Sequence, residues 1–431
     1  MNTQSARPGD YYNSTHFPCD LVHRFLSANT DNRPERTEVA LEFDDSIVPY
    51  KFKRYASCPT PESLRALAKS RGLVALHVGA TFDDCANRAR ANSTRVSTVG
   101  KPLIFDLDVQ DIPIVRREKK DMAANDRWTG AVIGVARVLK AALEQIFGYE
   151  HFLCVYSGRR GCHLWVLDER AFRLTNEARR AITEMLRGVP DKQDDRLLVP
   201  YNSILNNPSF EAALEVHNRV WYDTMLRPRG QGGAGVLDTE ADLGKFLDVL
   251  FTPNLSSCNW PHSKLEAVQS ANARELTRAK MLVNGKSGRD AFETIQSAVK
   301  ANGALSARLR TIRFTYCWPC IDVDASSKRD HLTKVPFSMH GSSGRIAVPI
   351  DLDGPQTEEE GGAPPRVPRL WASKLLANDP ASVRQFEEYV AMAHAALDRA
   401  CPADALSAQP MDIEDLAGRA RPDPPKRSRR D

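Results

Sequence analysis

No stretch confines this chain more than Leu103-Ile104-Phe105-Asp106-Leu107-Asp108. It is apolar until its carboxylates, and a strand sends alternate side chains to opposite faces. Phe105 and Leu107 must therefore enter a core, while Asp106 and Asp108 leave together on the other face. A neighbouring hairpin is predicted from Phe152–Tyr156, the turn Ser157-Gly158-Arg159-Arg160-Gly161 and Cys162–Asp168. Between them, Val132, Val135, Val138/Leu139, Leu143 and Ile146 recur at helical spacing, and Gly148 ends the helix. Strands are also expected at 36–56 and 73–78, and a helix over 11–30. A late hairpin is expected from Val335–His340 and Arg345–Asp351 around Gly341-Ser342-Ser343-Gly344. The sum is a mixed α/β domain: a sheet unit with an inserted helical subdomain and a disordered C-terminal tail. Its expected parts are residues 1–172, a helical insertion 173–311, the sheet unit resumed at 312–352, a linker and helix at 353–401, and the tail 402–431. Asp379 with Pro380 reads as the start of that last helix.

Charge sharpens the reading. The chain of 431 residues has 59 basic and 55 acidic side chains, but Arg419–Asp431 holds six basic and two acidic ones. The rest is therefore electrically balanced, and any nucleic-acid surface on it must be a local arrangement. The tail's Lys426-Arg427-Ser428-Arg429-Arg430 suits nuclear import or loose nucleic-acid contact. Nine scattered cysteines suggest free thiols in a reducing compartment. No apolar run long enough to cross a membrane and no secretory signal is visible, so a soluble intracellular protein is expected.

Two carboxylates about 7 Å apart at a strand end can hold one or two Mg²⁺ ions, and paired ions serve phosphoryl transfer. The glycines of Ser157–Gly161 let backbone N–H groups approach an anion. Arg159 and Arg160 add forked donors suited to phosphate, with His163 beside them. Ile321-Asp322-Val323-Asp324 reads as another strand end carrying acids, followed by Lys328, Arg329, Lys334, His340 and Arg345. Cys317-Trp318-Pro319-Cys320 lacks the second ligand pair that zinc needs, so buried thiols are the plainer reading.

Three segments then resemble one family. Phe105–Asp108, Val155–Val166 and Pro336–Asp351 are similar to motifs of the catalytic small subunit of eukaryotic and archaeal DNA primases. Weaker likeness runs through Tyr11-Tyr12, Arg36–Leu41 and Arg54-Tyr55. The resemblance implies metal binding by Asp106, Asp108 and Asp322, with two Mg²⁺ or Mn²⁺ ions. It implies triphosphate contacts from Ser157, Arg159, Arg160 and His163, helped by Arg54, Lys334, His340 and Arg345. It also implies template-directed synthesis of RNA primers from ribonucleoside triphosphates on single-stranded DNA. The partners it implies are a large primase subunit and DNA polymerase α. Two departures stand out. Relatives carry Lys and Asp where Ala75 and His77 stand here. Relatives also hold a small zinc site between the first two motifs, whereas Val109–Glu150 contains no Cys or His. Structural zinc is therefore expected to be absent, with that loop held by packing around Trp128. Two other readings compete. The strand 104–109 also resembles the nucleophile motif of haloacid-dehalogenase-type phosphohydrolases, without that family's later motifs. A silent nucleic-acid scaffold would leave the three carboxylates without a purpose.

Overall fold

A computed structural model describes residues 6–31, 33–91, 96–112, 122–190, 197–200, 202–252, 261–354 and 368–401. The predicted tail at 402–431 and most of the linker lie outside the described residues. Strands β1 (Thr37–Phe43), β2 (Phe52–Ala56), β3 (Leu73–Phe82) and β4 (Thr98–Gly100) come first. Then follow β5 (Leu103–Asp108), β6 (Phe152–Tyr156) and β7 (Gly161–Val166). A short pair, β8 (Val189–Pro190) and β9 (Leu198–Val199), lies apart, and β10 (Thr333–Lys334) and β11 (Pro349–Ile350) return late. One sheet runs β10-β3-β1-β2 with β4 on β3, the other β11-β6-β7-β5, and every pairing is antiparallel.

Side-chain alternation along β5 divides the interior in two. Phe105 and Leu107 join Cys162 and Leu164 in a core closed by the helix Met122–Phe147. That core continues without a break through Trp221, Phe292 and Tyr316 of the helical segment. On the other face, Ile104 and Trp165 join Val39, Leu41, Leu76 and Val78 in a second core. The helix Pro380–Ala400 adds Phe386 and Leu397 to it, and Asp379 caps that helix by accepting from Ser382 N–H at 2.9 Å.

Several local expectations need correction. Residues 11–30 form two helices, Pro8–Asn13 and Cys19–Ser27, because Pro18 interrupts the first run. Asp322 does not end a strand: it caps the short helix Val323–Ser327, accepting from Ala325 N–H at 3.0 Å. The late hairpin keeps its turn, with His340 N–H donating to Arg345 C=O at 2.8 Å, but its arms are not a regular ladder. Pro336 and Pro349 lack N–H donors, and Phe337 takes a positive φ of 66°. The arms still bond to each other, Phe337 N–H donating to Ala347 C=O at 2.7 Å and Ala347 N–H to Ser338 C=O at 2.8 Å, while β10 ahead of them joins β3 and β11 at their end joins β6.

Arg179 binds this frame together. It is 1% exposed on the helix Asn176–Leu186 and donates to the carbonyls of Leu174, Pro102, Ala171, Phe172 and Lys101. Burial, then Arg329, pushes its pKa down to about 9. Arg179→Met fills similar space but strands those carbonyls. We expect a stability loss of about 2–4 kcal/mol, read from the urea midpoint.

Candidate active site

The register of β5 on β7 sets Asp106 opposite His163 and Asp108 opposite Gly161. His163 Nε2 stands 3.7 Å from Asp106 Oδ1. Arg160 Nη2 donates to Asp108 Oδ2 at 3.2 Å, and Asp108 Oδ1 accepts from Gln110 N–H at 2.8 Å. Glycine at 161 is obligatory here, because a Cβ would meet Leu107 C=O at 2.2 Å. Gly158 has φ +86°, and a Cβ there would lie 2.8 Å from His340 Cβ. The arginine turn thus rests on the late turn, which Ser343 Oγ secures by donating to Gly158 C=O at 2.7 Å.

These two turns wall a cleft of about 260 Å³. Asp106, Asp108, Ser157, Arg159, Arg160, His163, Lys334 and His340 all line it. Arg54, Asp322 and Arg345 do not. Arg54 is committed to the buried Glu38 by bonds of 2.8 and 2.9 Å. Arg345 is 9% exposed and donates to Tyr156 Oη at 3.0 Å, whose hydroxyl donates on to Arg159 C=O. It braces the arginine turn from behind. Asp322 lies beside the cleft, close enough that it and Asp106 both act on the His331 ring.

The lining is rich in donors. Arg159 Nε is buried with no hydrogen-bond partner among the described residues, which suits a site awaiting an anion. Burial, then Lys334 and the two arginines, pushes His340 down to about 4. Burial likewise lowers His163, against the pull of Asp106, and lowers Lys334, against that of Glu42. Both imidazoles are therefore neutral near pH 7, each with one N–H to give. The sequence reading did not assign His77, His331 or Thr333 to this lining. The sequence marks His77 only as a departure from the relatives' pattern, and no motif marks His331 or Thr333. Only the pairing of His77 with Lys334 across β3 and β10 brings them in.

Among the described residues no group of three or more His, Cys, Asp or Glu could by itself hold a metal ion. Two hard carboxylates beside a phosphate-seeking cradle nevertheless fit Mg²⁺, which takes one or two carboxylates and completes its shell with substrate phosphate and water.

The cleft thus sets two carboxylates against a glycine–arginine turn across one strand pair. A family model described as DNA primase small subunit matches residues 105–352. The chain is 23% identical over 402 residues to the DNA primase small subunit of Saccharomyces cerevisiae, covering 90% of this chain and 92% of that one. It is 26% identical over 408 residues to that of Caenorhabditis elegans, covering 90% and 93%. A segment of 92 residues, 20% of this chain and 25% of its relative, is 35% identical to the small subunit from Thermococcus kodakarensis. The chain belongs to the DNA primase small-subunit family.

Lys101 underlies the cleft. It is 2% exposed and donates to His331 C=O and, at 3.5 Å, to Thr333 Oγ1. Burial, then Arg179, drops its pKa to about 7. A lysine whose folded pKa lies below its unfolded one destabilises fully below the folded value, and this is relieved as pH rises towards the unfolded value. The urea midpoint of wild type should therefore rise relative to that of Lys101→Met as pH rises from about 7 towards about 10. A gap that is constant with pH would show that the folded protein tolerates the ammonium.

Proposed function

We propose that this protein makes short RNA primers on single-stranded DNA by two-metal-ion nucleotidyl transfer. The observation that carries the reading is the β5–β7 register, which sets Asp106 and Asp108 against Arg160 and His163. Asp106 and Asp108 would hold Mg²⁺ or Mn²⁺, with Asp322 approaching from the adjoining helix start. When bound, such ions stabilise the attacking and leaving oxygens of the displacement. The 3′-hydroxyl of one nucleotide attacks the α-phosphate of the next, and pyrophosphate leaves. Arg159, Arg160 and Lys334 neutralise the triphosphate, while His163 and His340 each donate one N–H to it. Arg160, paired with Asp108 in this structure, would be free to bind phosphate were that carboxylate to hold a metal ion. Ser157 Oγ, which accepts from Gly161 N–H at 3.2 Å, holds the turn closed around the anion. Arg345 positions the turn through Tyr156, and Arg54 acts from outside the cleft. The relatives' description as small subunits supports a large primase subunit as partner; docking onto DNA polymerase α and a nuclear site of action follow by the same likeness.

Asp106→Ala and Asp108→Ala should each abolish incorporation of labelled ribonucleotides on single-stranded template, without lowering the melting temperature. Arg160→Ala and His163→Ala should each weaken nucleotide binding roughly ten- to a hundredfold. Near-normal synthesis by either Asp variant would remove the metal assignment, and phosphate release from a monoester without polymer would point to a phosphohydrolase.

We also propose that the chain carries no structural zinc. Burial holds the Cys317 thiol well above its usual range, which disfavours the thiolate zinc requires. Trp128 instead stacks on Tyr316 at 6.1 Å between ring centroids. Metal analysis after dialysis against a mild chelator should find far less than one zinc per chain.

A further inference from the structure

The late turn Gly341-Ser342-Ser343-Gly344 stands at the rim of the cleft, next to His340 of its lining. Its two serines are placed differently. Ser343 is half-buried, and its Oγ is spent on Gly158 C=O. Ser342 is exposed, and its Oγ lies 3.3 Å from His340 Nδ1. Lys334, Arg159 and Arg160 bear on that imidazole more than the acid Glu42 does. Gly158, beside Arg159, comes so close to the turn that an added Cβ would lie 2.8 Å from His340 Cβ. Arg159 Nε is buried with no hydrogen-bond partner among the described residues, and Arg160 holds Asp108 at 3.2 Å. An exposed hydroxyl therefore adjoins a wall of phosphate donors that are loosely held.

We propose that Ser342 is a phosphorylation site, and that its phosphoserine occupies the triphosphate cradle of its own chain and shuts synthesis off. The inference rests on the triphosphate reading of the cleft given above. A protein kinase joins the γ-phosphorus of a nucleoside triphosphate to Ser342 Oγ. The bond from that phosphorus to the bridging oxygen breaks, nucleoside diphosphate leaves, and the hydroxyl proton passes to the kinase's base. The product carries about −1.5 to −2 charge and three acceptor oxygens. His340 gives it an N–H, and the arginine turn supplies charge-assisted donors. The same donors are then lost to an incoming triphosphate. Ser343 is no substitute as acceptor, because its hydroxyl holds the two turns together.

The test places phosphoserine at position 342 of the full chain by site-specific incorporation and measures equilibrium binding of inorganic tripolyphosphate in Mg²⁺. Binding should fall roughly ten- to a hundredfold and return on phosphatase treatment. Ser342→Ala, and phosphoserine at the exposed Ser270 of the helix His262–Leu282, should leave it unchanged. The phosphorus NMR signal of the phosphoserine at 342 should titrate below its ordinary pKa of about 6, since neighbouring arginines favour the dianion. Mass spectrometry of the chain isolated from its own cells should find phosphate on Ser342. Undiminished binding, an equal loss with phosphoserine at 270, or a Ser342 never modified in cells would overturn the inference while leaving the phosphate cradle standing. Wild type that does not bind tripolyphosphate would remove the cradle itself and the inference with it.

Discussion

Everything at the cleft depends on one antiparallel register, that of β5 on β7. Six consecutive residue pairs, from Leu103 with Val166 to Asp108 with Gly161, leave no freedom of slip. A shift by one residue would bury Asp106 and Asp108 in the core that now takes Phe105 and Leu107. The cost of two unpaired buried carboxylates excludes that alternative. The glycine at 161 completes the constraint, since only a residue without Cβ lets β7 begin against Leu107 C=O.

Around this register the charges divide into two kinds. Those lining the cleft lack fixed acidic partners or hold them loosely: Arg160 shares a half-open pair with Asp108, and Arg159 has an unused Nε. Those behind it are fully committed, Arg54 to Glu38 and Arg179 to backbone carbonyls. The committed set fixes geometry, and the loosely held set is free to exchange partners. Burial first, and the neighbouring positive charge after it, keeps His340 and His163 neutral. The wall thus offers hydrogen bonds without adding to its own repulsion.

Much of this was legible in the chain because it is written in local periodicity. Leu103–Asp108 emerged with its predicted limits, since alternation and terminal carboxylates admit one orientation. The helix ending at Phe147 and the cap at Asp379 follow equally local rules. Legibility failed where a partner lies far along the chain. Arg54 reads as a free cation until Glu38, on a different strand, takes it. Asp322 misleads for a different, local reason: two apolar residues flank it like a strand end, yet its side chain accepts from Ala325 N–H and starts a helix turn. The arms around residues 333–350 do pair as a hairpin, but their outer ends part to two different sheets, β3 taking one and β6 the other, and nothing local shows that.

That last division has a consequence for the order in which the molecule can be made. β3 finds β10, and β6 finds β11, only when residues 333–350 have been synthesised, after the long helical segment. Until then a growing chain exposes part of a strand edge on each of two half-built sheets. Open edges are where chains pair wrongly with their neighbours. The segment that shapes the cleft is thus also the one that closes both edges. A ribosome-bound intermediate stalled short of it would combine no activity with a high tendency to associate, so assembly and catalytic competence arrive in the same few residues.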